Sequence, residues 1–324
     1  MAKRARSTIW FLLIGVMIYA CIYGAAEHLL YRNGHANPLF KMAAAKEKSF
    51  DWVILGASHA MPLDFADFND RMQKETGLRI INLASPGTGP LYNRFVLEAF
   101  LRKHSAANVL YVADSFAFYS RAWNEDRFAD AKLLRTTPFS IATAELLWRY
   151  CRDENVDPRS LLDYLTGFSK INNRDRFQRD IWEGEHQWDR VYRGSASAIG
   201  DRIEYLYPAA DRGAVPRYVA ELDKLLDMTA QRNMRVTVVK MPVPAAYRAR
   251  LPNEKTFDEA LVATLANRAS DVVDLSASLD EARFYFDTDH LNRAGIGELF
   301  QRHLKPVLIR GAAPDEASNN HSND

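Results

Sequence analysis

The chain has 324 residues, of which 48% are hydrophobic and 26% are charged, as in an ordinary folded protein with a sizeable core. Its net charge is +1, which excludes the strongly basic surface expected of a nucleic-acid-binding protein. The two cysteines are Cys21, in an apolar segment, and Cys151, so we predict neither an intramolecular disulfide nor a thiol-metal site.

The N-terminus carries a localisation signal. Three basic residues among the first six precede the uncharged stretch 8–26, which approaches the roughly 20 residues that a helix needs to span a bilayer. The basic residues predict that 1–7 is a cytoplasmic tail and that 8–26 anchors the chain in the inner (cytoplasmic) membrane, with the remainder in the periplasm or outside the cell. A cleaved signal peptide ending at 24–26 and a lipoprotein signal at 18–21 are alternatives that also export the domain.

After a predicted juxtamembrane linker, 27–49, residues 50–310 show the alternation of strands and helices that is typical of parallel α/β sheets. Strands are predicted where short apolar runs end at glycine, proline or short polar residues. The predicted strands are 51–55, 78–83, 108–115, 236–239 and 271–275. The predicted helices of this part are 61–76, 91–104, 216–233, 257–268 and 292–304. The small, polar segment 311–324 is predicted to be a disordered tail.

The middle of the chain, about 116–215, is predicted to be a mostly helical insertion, with helices at 140–153 and 160–168. A loop of this length without secondary structure is uncommon in a compact domain. The tryptophans of this region are Trp123, Trp148, Trp182 and Trp188. Core packing is the ordinary role of such residues, and a platform for a sugar or a lipid is the functional alternative.

A candidate nucleophile follows the first predicted strand. Ser58 stands at the carboxyl end of strand 51–55, where open α/β sheets place their chemistry. A serine hydroxyl needs a base within hydrogen-bond reach, and the base needs a third group that orients it. His290 and Asp287, three residues apart, are predicted to be that base and that orienting acid.

The reaction also needs an oxyanion hole, for which the backbone N–H groups of Ser58 and Gly87 are predicted. A glycine permits the close backbone approach that this task requires. The structural alternatives are that Ser58 is a turn or cap residue, that His290 is a helix-start histidine, and that Asp287 or Asp289 caps the closing helix, with Asp289 preferred as the cap. His59 is a rival base. No group of histidines and carboxylates has convincing metal-ligand spacing, so we predict neither a metal nor a cofactor.

Together these motifs resemble those of the SGNH (GDSL-like) hydrolase superfamily. Residues 56–59, Gly-Ala-Ser-His, match the nucleophile block, 82–87 match the glycine block, and 287–292 match the final block. The resemblance covers about 50–120 and 216–305. It implies a flavodoxin-like three-layer α/β fold and ester chemistry by serine acylation.

One block departs from the family pattern. Where the family has an asparagine at the end of the third strand, this chain has Asp114, followed by Ser115. An asparagine amide would donate to the oxyanion, whereas an ionised carboxylate repels it. The hydroxyl of Ser115 is the predicted replacement donor, and losing one such donor typically costs ~100–1000-fold in rate.

The export signal and the resemblance together predict a function. The chain resembles the exported, anchored relatives of the family, which look like acyltransferases or accessory proteins for cell-envelope polysaccharides. Examples are the alginate O-acetylation proteins and the D-alanine transfer protein of teichoic acid modification. We therefore expect a serine acyltransferase or acylesterase that acts on ester groups of an envelope or secreted polysaccharide, with a membrane-bound O-acyltransferase as partner. The alternatives are a catalytically weak accessory or binding protein of such a system and a lipid-directed esterase.

Overall fold

A computed structural model describes most of the chain, in segments that leave out the termini and a few loop residues. The described residues are 2–33, 36–178, 181–208, 214–266, 268 and 270–312. Contacts divide the chain into two compact units. The first consists of Met1–Ala45 and Glu125–Ile181, and the second of Lys46–Asn124 and Trp182–Asp324. The segment predicted as an insertion, about 116–215, therefore contains residues of both units.

The second unit is built on a parallel sheet. Its strands within the described residues are β1 (Ser49–Leu55), β2 (Ile80–Asn82), β3 (Ser105–Val112), β4 (Arg235–Lys240) and β5 (Ser270–Asp274). They pair in the order β2-β1-β3-β4-β5, all parallel, which is the flavodoxin-like order. Each coincides with a predicted strand, so the predicted fold class is confirmed.

The described helices connect these strands and build the first unit. In chain order the α-helices are α1 (Ala2–Asn33), α2 (Pro38–Ala44), α3 (Phe68–Thr76), α4 (Pro90–Leu101), α5 (Ala131–Leu134), α6 (Ile141–Asp153), α7 (Pro158–Thr166), α8 (Phe168–Ile171), α9 (Glu183–His186), α10 (Ala196–Leu206), α11 (Val215–Ala230), α12 (Ala245–Arg248), α13 (Glu254–Leu265), α14 (Arg293–Leu299) and α15 (Lys305–Ala312). Short 3-10 helices span Ser58–Asp64, Ser115–Phe118, Arg121–Trp123, Glu125–Ala129 and Ala282–Phe284, and a π-helix spans Phe300–Leu304. In the second unit, α11 packs with α4 and α13, whereas α15 packs with α3 and β1, as expected for helices on two faces of a sheet.

The core of the second unit is centred on the middle strands. Trp52 and Ile54 of β1 and Leu110 of β3 have no exposed surface, because parallel strands are covered on both faces. Trp52 also donates a hydrogen bond from Nε1 to the backbone oxygen of Leu308 in α15, at 3.1 Å. Gly311 packs directly on the Trp52 ring, where a Cβ would collide. The last described helix is thus fixed to the first strand.

Two predicted helices differ in the structure. The predicted helix 61–76 is divided into a buried 3-10 helix, Ser58–Asp64, and α3, because Ala66 between them adopts a φ of +50°. The predicted closing helix 292–304 continues through the π-helix into α15, which ends at Ala312. Two residues of the predicted tail 311–324 are therefore helical, and the rest of that segment lies outside the described residues.

The first unit combines the N-terminal segment with a helical segment from the middle of the chain. Within α1, Arg6–Asn33 is long and apolar enough to cross a membrane by length and composition. The predicted linker 27–49 contains the end of α1 and the whole of α2. Asn37 caps α2 by accepting the N–H of Leu39 at 2.8 Å, and its amide donates to Leu133 O at 2.9 Å. This single side chain fastens the N-terminal segment to the helical segment of the same unit.

Candidate active site

Ser58 lies directly after the turn that ends β1. Gly56 in this turn has a φ of +143°, and an added Cβ would lie 2.8 Å from Cβ of Val112 in β3. The turn requires a glycine, because any side chain would collide with the neighbouring strand. Ser58 begins the 3-10 helix and is buried, with 4% of its surface exposed. The ends of β1 and β3 flank the point where the strand order reverses, which is where open α/β sheets bind ligands.

His290 and Asp287, the predicted base and orienting acid, lie beside Ser58. Nε2 of His290 is 2.8 Å from Oγ of Ser58, although the two residues are 232 positions apart. Nδ1 of His290 is 3.0 Å and 2.9 Å from the two carboxylate oxygens of Asp287. The structure therefore brings the three residues together: Ser58 contacts His290, and His290 contacts Asp287. This is the arrangement by which a base and an acid activate a serine.

A closed loop holds the imidazole in place. The N–H of Phe286 donates to the backbone oxygen of His290 at 3.0 Å. Oδ1 of Asp287 accepts the N–H groups of Asp289 at 3.1 Å and of His290 at 2.8 Å, so the same carboxylate fixes both the backbone and the ring of His290. The cap predicted at Asp289 is wrong: Asn292 caps α14 by accepting an N–H of its first turn at 2.9 Å.

Electrostatics keep Asp287 ionised. Burial raises the pKa of Asp287. The attraction of His290 and its hydrogen bond lower this pKa by more than burial raises it, so the pKa lies below the ordinary value. The carboxylate is thus a pure acceptor at neutral pH. An acceptor at Nδ1 selects the tautomer of His290 whose Nε2 can take the proton of Ser58.

The glycine loop after β2 is tied to the turn that carries the nucleophile. Oγ1 of Thr88 donates to the backbone oxygen of Gly56 at 3.0 Å, and the N–H of Gly56 donates to Oδ1 of Asn93 at 3.3 Å. Gly87 in this loop has a φ of +60°. As the first residue of its 3-10 helix, Ser58 has an N–H for which that helix offers no acceptor. The N–H groups of Ser58 and Gly87 remain the predicted oxyanion donors.

Ser115, the third predicted oxyanion donor, has its hydroxyl engaged by other groups. It donates to Oε2 of Glu254 at 2.6 Å and accepts from the hydroxyl of Tyr207 at 2.6 Å. Glu254 is also paired with Lys240, at 2.7 Å. Because the only proton of the Ser115 hydroxyl is committed to Glu254, the hydroxyl has no second proton to donate to an oxyanion.

Asp114, at the departure from the family pattern, is paired with His59. Oδ1 of Asp114 is 2.6 Å from Nδ1 of His59, and both side chains are buried. Burial lowers the pKa of His59. Asp114 and Asp289 together raise this pKa by more than burial lowers it, to about 10. His59 is therefore an imidazolium at neutral pH. Its charge compensates the carboxylate that the sequence places in the oxyanion region.

The other ring nitrogen of His59 contacts a second buried carboxylate. Nε2 of His59 is 3.1 Å from Oδ2 of Asp289, which has no exposed surface. Arg202 donates to both oxygens of Asp289, from Nε to Oδ1 at 3.1 Å and from Nη2 to Oδ2 at 3.0 Å. Burial raises the pKa of Asp289, but His290, Arg202 and His59 hold it well below its ordinary value. The carboxylates of Asp114 and Asp289 thus alternate with the cations of His59 and Arg202, and the two negative charges equal the two positive ones.

This charged chain borders the candidate triad. Oδ1 of Asp289 is 3.6 Å from Nδ1 of His290, only slightly farther than the oxygens of Asp287. The rings of His59 and His290 have centroids 4.9 Å apart. Arg202 and His59 draw Asp289 toward themselves, which leaves Asp287 as the hydrogen-bonded partner of His290.

The sequence predicted the three triad residues but missed Arg202 and the pairing of His59. Arg202 lies in α10, inside the segment predicted as an insertion, and no spacing in one sequence links it to the loop of His290. The one signal in the sequence for such a cation is the position of Asp289 between Asp287 and His290. A second carboxylate beside a catalytic histidine needs a cation to compensate it.

An aromatic wall surrounds the ring of His290. Phe286 stacks on it with centroids 5.5 Å apart, and Trp182 meets it edge-on at 5.1 Å. Trp182 is half-buried and also packs against Phe65, at 5.8 Å. These rings limit the access of water to the base, which strengthens its hydrogen bonds.

Potential metal ligands occur at the same place. His59, Asp289 and His290 have ligand atoms within 4.8 Å of one another. Each of these side chains already has a hydrogen-bonding partner, and Asp289 is paired with a guanidinium. A cation there would compete with Arg202 and with a protonated imidazole, so the donor set does not fit a metal ion.

No family model and no curated protein matches the sequence. Among solved structures, the chain is similar to a Streptococcus pneumoniae protein described as a platelet activating factor, at 12% identity and a TM-score of 0.44, covering 92% of this chain and 99% of that chain. It is also similar to a protein from Bacteroides fragilis NCTC 9343 described as an acylhydrolase, at 9% identity and a TM-score of 0.40, covering 84% of this chain and 94% of that chain. Likenesses at this level carry no argument about activity, so the function is argued from the site.

Proposed function

We infer that the chain is an exported, membrane-anchored serine acyltransferase or acylesterase that acts on ester groups of an envelope or secreted polysaccharide. The observation that carries this proposal is the continuous contact from Ser58 through His290 to Asp287, with 2.8 Å between Oγ and Nε2. The apolar helix α1 supports the anchor, and the resemblance of the sequence motifs to the SGNH superfamily supports ester chemistry.

In the proposed reaction, Oγ of Ser58 attacks the carbonyl carbon of an acyl donor while Nε2 of His290 takes the hydroxyl proton. Asp287 stabilises the imidazolium that forms. The N–H groups of Ser58 and Gly87 receive the negative charge that develops on the carbonyl oxygen. Collapse of this intermediate expels the donor's alcohol or thiol, to which His290 returns the proton. The product is an acyl ester on Ser58.

The second half-reaction repeats these steps with another nucleophile. A polysaccharide hydroxyl, or water, gives its proton to Nε2 of His290 and attacks the acyl ester. Transfer results from the first acceptor and hydrolysis from the second. A membrane-bound O-acyltransferase is the proposed source of the acyl group, because such a partner would present the donor at the membrane surface.

The test is acylation of the purified full-length protein by an activated acyl ester, read as an increase in intact mass. We expect the adduct in the wild type and not in Ser58→Ala. Ser85→Ala is the matched control, since Ser85 is also buried, with 2% exposed surface, and its hydroxyl has no partner among the described residues. Loss of the adduct in both variants, or its persistence in Ser58→Ala, would contradict the proposal.

The accessory role is the second candidate, since the departure at Asp114 favours a protein with weak catalysis. The pairing of Asp114 with His59 weakens the case for poor catalysis, because the charge of the carboxylate is compensated. The two functions differ in cells: an accessory protein keeps its function when Ser58 is replaced by alanine. Polysaccharide acylation measured in a strain that carries Ser58→Ala separates them.

A further inference from the structure

The first unit exposes a group of large apolar side chains beside α1. We propose that this group, the apolar patch, enters the lipid bilayer beside α1 and fixes the first unit to the membrane. The members of the patch are Phe139, Ile141, Leu162, Leu165 and Phe168, whose exposed fractions lie between 42% and 70%. Contiguous exposed apolar side chains of this kind mark interaction sites. The proposal rests on the membrane anchor and goes beyond it.

Direct contacts join the patch to the anchor helix. The hydroxyl of Tyr19 in α1 donates to the backbone oxygen of Thr166, at the end of α7, at 2.8 Å. Gly167, the next residue, lies against the ring of Tyr23, where a Cβ would collide. The ring of Tyr23 also meets that of Phe139 edge-on, with centroids 6.2 Å apart. The turn between α7 and α8 is therefore packed on α1.

These contacts determine the depth of the patch. The uncharged stretch 8–26 has 19 residues and is about 28 Å long as a helix, close to the roughly 30 Å of a hydrocarbon core. Tyr19 lies seven residues before the end of this stretch, or about 10 Å along the axis. Groups that contact Tyr19 and Tyr23 must lie at the same level as these tyrosines. If the stretch 8–26 fills the hydrocarbon core, Thr166 and its neighbours lie about 10 Å inside its end, at a depth where exposed side chains contact lipid.

The patch residues share one side of the unit with these contacts. Leu162 and Leu165 lie four residues and one residue before Thr166, and Phe168 begins α8 two residues after it. Phe139 and Ile141 flank Ser140, whose extended backbone directs both side chains the same way. The patch residues therefore lie on, or next to, the segments that pack on α1.

The first charge after the apolar stretch is paired. Glu27, the first charged residue after the apolar stretch, accepts the N–H of Phe139 at 2.7 Å and forms an ion pair with Lys170. Lys170 is buried, with 4% exposed surface, and burial lowers its pKa despite the partner. Tyr23, three residues before the end of the apolar stretch, combines an apolar ring with a polar tip, as is typical of the interface. This pattern favours lipid as the occupant of the patch.

The test uses full-length protein in phosphatidylcholine vesicles, with cysteine variants that carry a fluorescent label. Cys21 and Cys151 are first replaced by alanine, and Leu162→Cys or Leu165→Cys then places the label in the patch. Val16→Cys in α1 reports on the anchor, and Val262→Cys in α13, 57% exposed, is the control on the second unit. Phospholipids brominated on their acyl chains quench labels that contact lipid.

We expect quenching of the two patch labels that is comparable with that of Val16→Cys, and none at Val262→Cys. Quenching at Val16→Cys without quenching in the patch would overturn the proposal while leaving the anchor in place. No quenching at any position would reject both the patch and the anchor. Neither result bears on acylation of Ser58, which is measured separately by intact mass. Thermal melting of each variant checks that the exposed substitutions leave the fold intact.

Discussion

Oδ1 of Asp114 lies 2.6 Å from Nδ1 of His59, at the end of β3. The carboxylate that departs from the SGNH pattern is therefore one half of a buried ion pair. A like-charged oxyanion nearby would face a compensated pair and not a bare negative charge. The serine, histidine and aspartate beside it can then act without an asparagine at this position.

Replacing Asp114 by asparagine tests this interpretation. We expect the rate of Ser58 acylation to change by less than about tenfold, because the charge at Asp114 is already compensated. The variant should lose about 1–3 kcal/mol of unfolding free energy, since a hydrogen bond to a charged partner is weakened. Acylation kinetics and urea denaturation measure the two effects. A rate increase of about 100-fold would instead mean that Asp114 repels the oxyanion.

In the His59→Gln variant, we expect the free energy of unfolding to fall less steeply with rising pH than in the wild type. Folding raises the pKa of His59 from 6.5 to about 10, so its stabilising contribution is complete below pH 6.5 and is lost as the pH rises through about 10. Between these values the folded state holds one more proton than the unfolded state, which lowers the free energy of unfolding by about 1.4 kcal/mol per pH unit. Urea denaturation at about pH 7 to 9 should show this slope as the difference between the two proteins. Equal slopes would mean that His59 is neutral in the fold.

Asp287→Asn is expected to lower kcat for ester cleavage by about 10⁴-fold while leaving the fold intact, because the neutral amide no longer selects the productive tautomer of His290. The amide oxygen can still accept the N–H groups of Asp289 and His290. Steady-state kinetics with an activated ester and thermal melting measure both. A loss of less than about tenfold would indicate that Asp289, 3.6 Å from Nδ1, takes over the role.

Arg202→Met should destabilise the protein by about 3–5 kcal/mol, because it leaves the buried carboxylate of Asp289 without its guanidinium partner. Arg71→Met is the matched control: its ion pair with Glu75 is on the surface of α3, with 47% of the Arg71 side chain exposed, and such pairs contribute about 0.3–0.5 kcal/mol. Urea denaturation compares the two. Equal losses would show that Asp289 is neutralised by other groups.

Gly56→Ala should destabilise the turn before Ser58 by at least about 1–3 kcal/mol, since alanine tolerates neither the φ of +143° nor the contact with Val112. Gly297→Ala in α14 is the control, because a Cβ there meets nothing within 4 Å. A helical alanine in place of glycine is expected to stabilise by about 0.5–1 kcal/mol. Melting curves of the two variants should therefore shift in opposite directions.

The strands and the candidate triad could be predicted because each leaves a local pattern. The strands β1, β3 and β4 each contain a short, mostly apolar run, and Ser58 stands just after the first of them. Parallel strands place their carboxyl ends at one edge of the sheet, so a serine there and a late histidine are expected to meet.

The charge network could not be predicted, because its members come from separate elements. Arg202 comes from α10, and Asp289 comes from the loop before α14. Only tertiary packing brings these two residues together, and no spacing or periodic pattern in a single sequence indicates that they are in contact. The role of His59 was missed for the same reason: its partners, Asp114 and Asp289, follow it by 55 and 230 positions.

The hydrogen bond from Trp52 to Leu308 also has a consequence for the order of biosynthesis. A ribosome makes β1 long before α15, since the bonded residues are 256 positions apart. His290, the proposed base, is made nearly as late. Throughout most of synthesis Ser58 therefore has no base beside it, and its strand lacks the helix that covers Trp52. In the proposed reaction, Ser58 would therefore become active only when almost the whole domain has been made and has folded.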